Sequence, residues 1–588
     1  MRHVSLWMVF TLLLSPALVR AQSPQTGSDY VNRGNIRFEA GDFDGAIADY
    51  TEAIELNAAD SVAYYNRGIA RGRQGDHSRA IQDYTRAIQI GGRYANAYYN
   101  RGVHREETGD LDGAFADYTQ AIEIDAMMES AYYNRGHVRQ DRGEYAAAIG
   151  DFTKAIELTP GDSNAYFNRA YAKASLGDHQ GAIVDYTESL RLNPRDPMAY
   201  NNRGWQKKLA GDLDGAIADL NEAIDIDPSY KYAWGNRGRT REAQQDYAAA
   251  IPDFTKAIEL NPRDSTLYFD RGYARGRTGD HAGAIADYTA AIGIAPRYAY
   301  AYNNRGNQRR LTQQLDAALA DFTAAIAVDS TYQLARRNRG LTHADRKEYA
   351  AAAADYTVAI ALDPTDVWSY IYRADAREMQ GDADGAIADF RAAARKDSTL
   401  SRPYVDLTVA RGAKGDLTGA LADGDTALAR DAKNPFAYQA RSYTHLALRH
   451  GDAAQADALA SLKLRDAGDQ HLAYGVIVGY LGLRQAGKAA EATTFLATWG
   501  PKADSTAWPF PVIKFLGHTL TATALLAQAT DDNKMTEART YVALDLIYAG
   551  TPQAARPHLE WVKLHGTRTY FEYPVALAEL RRLQTATH

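Results

Sequence analysis

The sequence predicts an all-α solenoid, a row of helix–turn–helix units finished by a C-terminal capping helix. Three observations predict it. An arginine recurs every thirty-four residues, at Arg33, Arg67, Arg101, Arg135, Arg169, Arg203, Arg237, Arg271, Arg305, Arg339 and Arg373; Leu407 interrupts the series and Arg441 resumes it. An aspartate stands sixteen residues after each, as in Asp49, Asp83, Asp117 and Asp151. Small residues keep the same beat, as in Ala46, Ala80, Ala114 and Ala148. A fixed period of this length, held without insertion, is the mark of a repeat array.

The chain opens with MRHVSLWMVFTLLLSPALVRAQS. A short basic start, an apolar run broken by Pro16, and small residues at Val19 and Ala21 read as a secretory leader over 1–21, cut after Ala21. The apolar run is too short for a comfortable membrane span. A short tail, 22–26, precedes thirteen units over 27–468. In the unit that begins at Ser61, Tyr64, Gly68 and Arg71 share one side of a first helix at the 3.6-residue period. Gly75 ends that helix, because glycine takes the left-handed cap conformation at little cost. Asp76 is a natural N-cap for the second. Ala80, Ile81, Tyr84, Ala87 and Ile88 form the apolar stripe of the second helix. Prolines such as Pro160 and Pro194 then stop it before the next unit. Beyond 468 the rhythm wears down. Residues 469–535 read as a degenerate repeat with Gly487 at its turn, followed by a connector interrupted by Pro509 and Pro511. Residues 536–569 restore one unit around Gly550 and Ala555, and 570–588 read as a capping helix and tail; a solenoid needs such a cap to cover its last apolar face.

This pattern resembles the tetratricopeptide repeat: aromatic, small residue before the turn, then Ala, aromatic, Ala and Pro over thirty-four residues. The resemblance implies a right-handed superhelical α-solenoid whose first helices line a concave groove. There are departures. Arg stands where Leu is usual before the Gly; Ala170 and Ala374 replace that Gly; Gln245, Gln313-Gln314 and Lys347-Glu348 replace or blur the Gly-Asp turn; Arg336 replaces an aromatic. The segment from WPFP to ELRRL resembles the C-terminal part of bacterial exported repeat lipoproteins and their soluble relatives, some of which act as adaptors for envelope enzymes. The chain has no cysteine, so a Cys-linked lipid anchor is excluded.

The same lack of cysteine excludes disulfides, Cys-ligated metals and thiol nucleophiles. A formal charge of −7 over 588 residues argues against nucleic acid, which needs a basic surface. Removing the leader leaves the chain two charges more acidic. DFDG at 42, DLDG at 110 and 212, and DADG at 382 lack the downstream ligands of a calcium loop and read as turn and cap residues. No HExxH, Gly-x-Ser-x-Gly or phosphate loop occurs. No catalytic residue, metal or cofactor is expected.

Hairpin geometry brings the arginine and aspartate columns together, so Arg67 with Asp83, Arg101 with Asp117 and Arg135 with Asp151 are expected as structural pairs. An asparagine column precedes the arginines: Asn32, Asn66, Asn100, Asn134, Asn168, Asn202, Asn236, Asn304 and Asn338. It has no matching partner column, and Asp270 replaces one member. The repeat resemblance places it on the groove face, where it is similar to the asparagine ladder of O-GlcNAc transferases, which holds polypeptide backbone. First helices about 10 Å apart would present one amide to roughly every third residue of an extended chain. The alternative is that each Asn ties neighbouring units together. Tyr65, Tyr99, Tyr133 and Phe167 in the adjoining column are expected to approach the groove, making its N-terminal half the first place to seek a ligand. The lysine needed there by a chaperone-type carboxylate clamp is absent.

The expected function is a non-enzymatic scaffold or adaptor of the bacterial cell envelope, periplasmic or secreted. It would bind proteins or extended peptide in the groove, without nucleic acid and without stable membrane insertion after leader cleavage. The alternative ligand is a secreted polysaccharide or other envelope polymer, stacked on the tyrosines. Amides alone would suit peptide, whereas carboxylates interleaved with planar aromatics would suit sugar.

Overall fold

The computed structural model describes residues 26–585, so the expected leader over 1–21 lies outside the described residues. Among the described residues there are thirty-three α-helices, numbered α1 to α33 in chain order, and no strand. They belong to two compact units that divide between Pro262 and Arg263.

The first unit runs from α1 (Gly27–Glu39) and α2 (Phe43–Leu56) to α13 (Lys231–Ala243) and α14 (Tyr247–Leu260), seven helix pairs in sequence. One pair shows the physical logic of all. Asp60 caps α3 (Ser61–Arg73) by accepting from the backbone N–H of Val62 and Ala63. Gly75 turns the chain at φ +79°, a left-handed conformation that an L side chain adopts only with strain. Asp76 caps α4 (His77–Gly91) by accepting from Arg79 N–H. The two helices cross at Gly68, where a Cβ would stand 2.8 Å from Tyr84 Cε1; only glycine admits the ring so close. Ala80, Tyr84 and Ala87 are buried beneath the crossing, and the next first helix, α5 (Ala95–Glu107), packs on α4. The aspartates of the DxDG turns are caps too: Asp42, Asp110 and Asp212 accept from Gly45, Gly113 and Gly215 N–H.

The second unit continues the same pairs from α15 (Ser265–Arg277) and α16 (His281–Ile294) through α19 (Gln333–Asp345), α21 (Val367–Met379) and α23 (Arg402–Lys414) to α25 (Pro435–Leu448) and α26 (Gly451–Lys463). Its C-terminal part then departs from an open row. Helix α27 (Leu472–Gln485) is apolar on every side, with Leu472, Val476, Ile477, Val478 and Leu481 all buried, so it serves as a central helix. After α28 (Ala489–Trp499), α29 (Phe510–Leu516) and α30 (Ala522–Gln528), helix α31 (Asp532–Tyr548) packs against α27, and α32 (Pro552–His565) pairs with α31. The last helix, α33 (Glu572–Thr585), follows α32 and also lies against α31, α25 and α23. Tyr443 and Leu446 of α25, Val476 and Leu481 of α27, Tyr541 and Leu544 of α31, and Val575 of α33 form one core. The capping helix therefore turns inward and closes α25–α33 into a ring of helices. Arg449 fastens it with two hydrogen bonds to the fully buried Glu579, at 2.7 and 3.2 Å.

Candidate binding surface

The repeated first helices present the residues from which any site must be built. The arginine column is committed to structure. Arg67 donates from Nε and Nη2 to both oxygens of Asp83 at 3.1 and 2.9 Å; Arg101 does the same to Asp117 at 2.9 and 2.6 Å, and Arg135 to Asp151 at 3.1 and 2.7 Å. Each aspartate is buried. The remaining Nη1 reaches back to the preceding repeat, Arg101 to Thr85 Oγ1 at 3.1 Å and Arg135 to Thr119 Oγ1 at 3.3 Å. The guanidinium also lies over the preceding tyrosine, as Arg101 does over Tyr98 at 5.4 Å. One side chain thus holds its own hairpin and joins it to the one before.

The asparagine column has a partner that lies outside its own repeat. Asn100 Nδ2 donates to Tyr65 Oη at 3.0 Å, Asn134 to Tyr99 Oη at 3.2 Å, and Asn168 to Tyr133 Oη at 3.0 Å. Where the tyrosine is replaced by Asn201 or Asn303, Asn236 and Asn338 donate to that amide oxygen, both at 2.9 Å. Asn66 donates to Asn35 at 3.0 Å and Asn202 to Tyr186 at 3.4 Å, while Asn304 accepts from Asn303. Asn32, on the first helix, is exposed. Comparing columns within one repeat misses this pairing, because the partner stands thirty-five residues upstream. Asn100 is 3% exposed, which leaves its amide little access to a groove ligand.

The aromatic residues of the adjoining column are likewise turned into the packing. Tyr65 is buried against Tyr84 and Tyr94, at ring separations of 5.8 and 4.7 Å, and burial pushes its phenol pKa up. Tyr99 packs on Tyr118, Tyr133 on Phe152 and Phe167 on Tyr186. Exposed apolar side chains stand elsewhere on the first helices. In the first unit they include Ile36, Val62, Tyr171, Met198, Leu209 and Tyr232, the last 57% exposed. In the second they include Tyr273, Tyr300 at 58%, Leu311, Leu334, Trp368, Met379 and Phe436. Met198, Tyr232, Tyr300, Leu334, Trp368 and Phe436 occupy one repeat position, four residues before the asparagine column. Stepping the period from Val62 would have found them.

Charge accompanies this surface in the second unit. Trp368 stacks on Tyr372 at 5.9 Å, and Asp375 and Glu378 follow on the same helix. Asp406 of α23 accepts from Arg402 Nε at 2.6 Å, and Arg402 Nη2 stands 3.8 Å from Asp375. Recession from water, reinforced by Asp406, pushes the Asp375 carboxyl up to about 7; recession, reinforced by Asp375, pushes Glu378 up to about 8. Farther along, Glu378, Lys414, Arg568 and Tyr573 line a pocket of about 160 Å³, well below the few hundred Å³ of ordinary small-molecule sites. Among the described residues no group of three or more acidic or histidine side chains could hold a metal ion. No helix among them is long and apolar enough to cross a membrane.

Family models for tetratricopeptide repeats match residues 34–75 and, in a second form, 65–126, 133–197, 176–231, 236–299 and 309–367. No curated protein matches the chain. Several solved structures do. YrrB, described as a TPR protein with an unusual peptide-binding site, is 24% identical over 31% of this chain and 95% of its own, with a TM-score of 0.29. A tetratricopeptide repeat protein from Parabacteroides merdae is 21% identical over 43% of this chain and 99% of its own, with a TM-score of 0.32. Yeast Tom70 is 18% identical over 63% of this chain and 91% of its own, at 0.30. The family models together cover more than half of the chain, which belongs to the tetratricopeptide repeat family.

Proposed function

We propose that this protein is a non-enzymatic interaction scaffold of the bacterial cell envelope that holds extended polypeptide of partner proteins along its first helices. The repeat fold itself suggests a protein–protein interaction scaffold. The observation that carries the finer reading is the exposed column Tyr300, Leu334, Trp368 and Phe436 of the second unit, which returns at one repeat position. Aliphatic and aromatic side chains stand together there, which suits the mixed side chains of a peptide. The export part of the reading rests on the leader over 1–21. The amide ladder remains part of the proposal only through its exposed member, Asn32.

One observation favours a polysaccharide as the second reading: the stacked rings of Trp368 and Tyr372 share a helix with Asp375, which Arg402 links to Asp406. The test uses the mature chain beside a Tyr300→Ser/Leu334→Ser/Trp368→Ser variant, each exposed to envelope protein and to envelope polysaccharide from the native source. Retention of defined proteins by the wild type and their loss by the variant, with circular dichroism unchanged, supports the peptide reading. Retention of polysaccharide in place of protein replaces it with the second. Equal retention by both forms refutes the surface. N-terminal sequencing of the exported chain should begin at Gln22.

A further inference from the structure

Two carboxyl groups are buried where four elements of the C-terminal ring meet. Glu537 of α31 and Glu572 at the start of α33 are each 1% exposed. Glu537 accepts from Tyr474 Oη of α27 at 3.1 Å and from Trp508 Nε1 at 2.7 Å. Glu572 accepts from Tyr541 Oη of α31, and Tyr541 and Tyr443 of α25 share a hydrogen bond of 2.7 Å between their hydroxyls. Phe571 stacks on Tyr443 at 5.3 Å and seals the side. The titratable groups that face the pair are thus Tyr443 from α25, Tyr474 from α27, Tyr541 from α31 and Tyr570 before α33; the nearby Asp531, at the start of α31, pairs with Lys534. Apart from the backbone N–H of Glu572 itself, the hydrogen-bond partners of the two carboxyls are phenols and an indole, and none brings a positive charge.

A buried carboxylate without a cation is costly, whereas a neutral acid is not. The geometry admits the neutral form. Trp508 can only donate, so it takes one oxygen of Glu537; the hydroxyl of Tyr474 can accept as well as donate, so it can receive the acid proton on the other. These two residues are also the joint at which α31 and α33 meet α25 and α27. We propose that Glu537 and Glu572 form a proton-held latch: neutral, they let α31 and α33 close the ring, and loss of their protons releases α33 from α25 and uncovers Tyr443 and Leu446.

Burial, reinforced by Glu572, pushes the Glu537 acid up to about 9, and burial raises Glu572 as well. Unfolded or released, a glutamate returns to about 4.3. Between those values the open form binds fewer protons than the closed one. Closure is therefore favoured by acid and weakens as pH rises. The latch operates whatever the first helices bind.

The test is hydrogen exchange of the full mature chain from pH 5 to pH 9, corrected for the intrinsic exchange rate. Protection of α31–α33 should fall at least tenfold over this range, the change that follows from one pKa unit, while protection of residues 265–362 stays level. Glutamine mimics the neutral acid, so Glu537→Gln/Glu572→Gln should keep α31–α33 protected at pH 9. If the double variant fails to close at pH 5, Glu572→Gln alone is read for a smaller fall in protection between pH 5 and pH 9 than the wild type shows. Wild-type protection of α31–α33 that is level with pH, or a parallel fall in the variants, overturns the latch.

Discussion

At the scale of single residues, the turn between the paired helices shows where repetition was bent. Nine of the interhelical turns from Gly41 to Gly415 place glycine at positive φ, but Gln245, Gln313 and Lys347 hold the same conformation at φ 63°, 61° and 63°. The sequence marks these three as departures from the Gly-Asp turn, and the backbone keeps the turn regardless, because the flanking helices determine it. A non-glycine residue there carries about 1 kcal/mol of strain. Gln245→Gly, Gln313→Gly and Lys347→Gly should each stabilise the chain by up to about 1 kcal/mol, offset in part by the entropy of a freer unfolded glycine; urea denaturation measures it. The asparagines teach the opposite lesson. Their spacing is plain in the sequence, but the partners of Asn100, Asn134, Asn168, Asn236 and Asn338 lie thirty-five residues back on another helix, and residue type alone does not distinguish an amide turned to a neighbour from one turned to a ligand.

At the scale of the helix pair, most of the fold was legible. Two periods, 3.6 and thirty-four, place each first helix, turn and second helix, and the Gly–aromatic crossing explains why they approach so closely. Arg101 ties this element together and to its neighbour. Arg101→Leu would remove two charge-assisted bonds to Asp117 and one to Thr85, leaving Asp117 with Arg105 at 2.9 Å. The expected cost is about 3 kcal/mol, and Arg101→Leu/Asp117→Leu should recover part of it, since a buried pair replaced by apolar groups loses less than a pair half removed. A second junction adds pH dependence. His77 Nδ1 lies 3.0 Å from His104 Nδ1; at the equivalent junctions His179 meets Gln206 and His281 meets Gln308. Burial, with the charge of His77, lowers His104 to about 4. The folded imidazole stays neutral where the unfolded one, near 6.5, takes a proton, so stability is lost as pH falls from about 6.5 to about 4. His104→Gln, copying the two other junctions, should flatten that loss; denaturant midpoints at pH 7 and 4.5 compare them.

At the scale of the whole molecule, the two units differ in what holds them. In the first, each helix touches its immediate neighbours in sequence and stability accumulates pair by pair. Such contacts are local, which is why a period read from the sequence was enough to foresee them. The end of the second unit is held by contacts between distant segments: Tyr443 with Tyr541, Arg449 with Glu579, Gln485 with Tyr548. No period links these residues, so a worn repeat with a Pro-interrupted connector, one restored unit over 536–569 and a capping helix were as much as the sequence could offer for 469–588. This difference predicts unequal responses to truncation. Residues 22–262 alone should be helical and melt cooperatively, because every apolar stripe but the last is covered by its neighbour. Removing 566–588 from the full chain should leave that melting intact and disturb the C-terminal ring, since α33 takes Val575 and Leu580 with it and leaves Tyr443 and Leu446 of α25 facing water. The expected readout is new binding of an apolar dye such as ANS, together with lost hydrogen-exchange protection in α25, α27 and α31. An unchanged protection map there would mean that the ring stands without α33 and that its core is held by α27 alone.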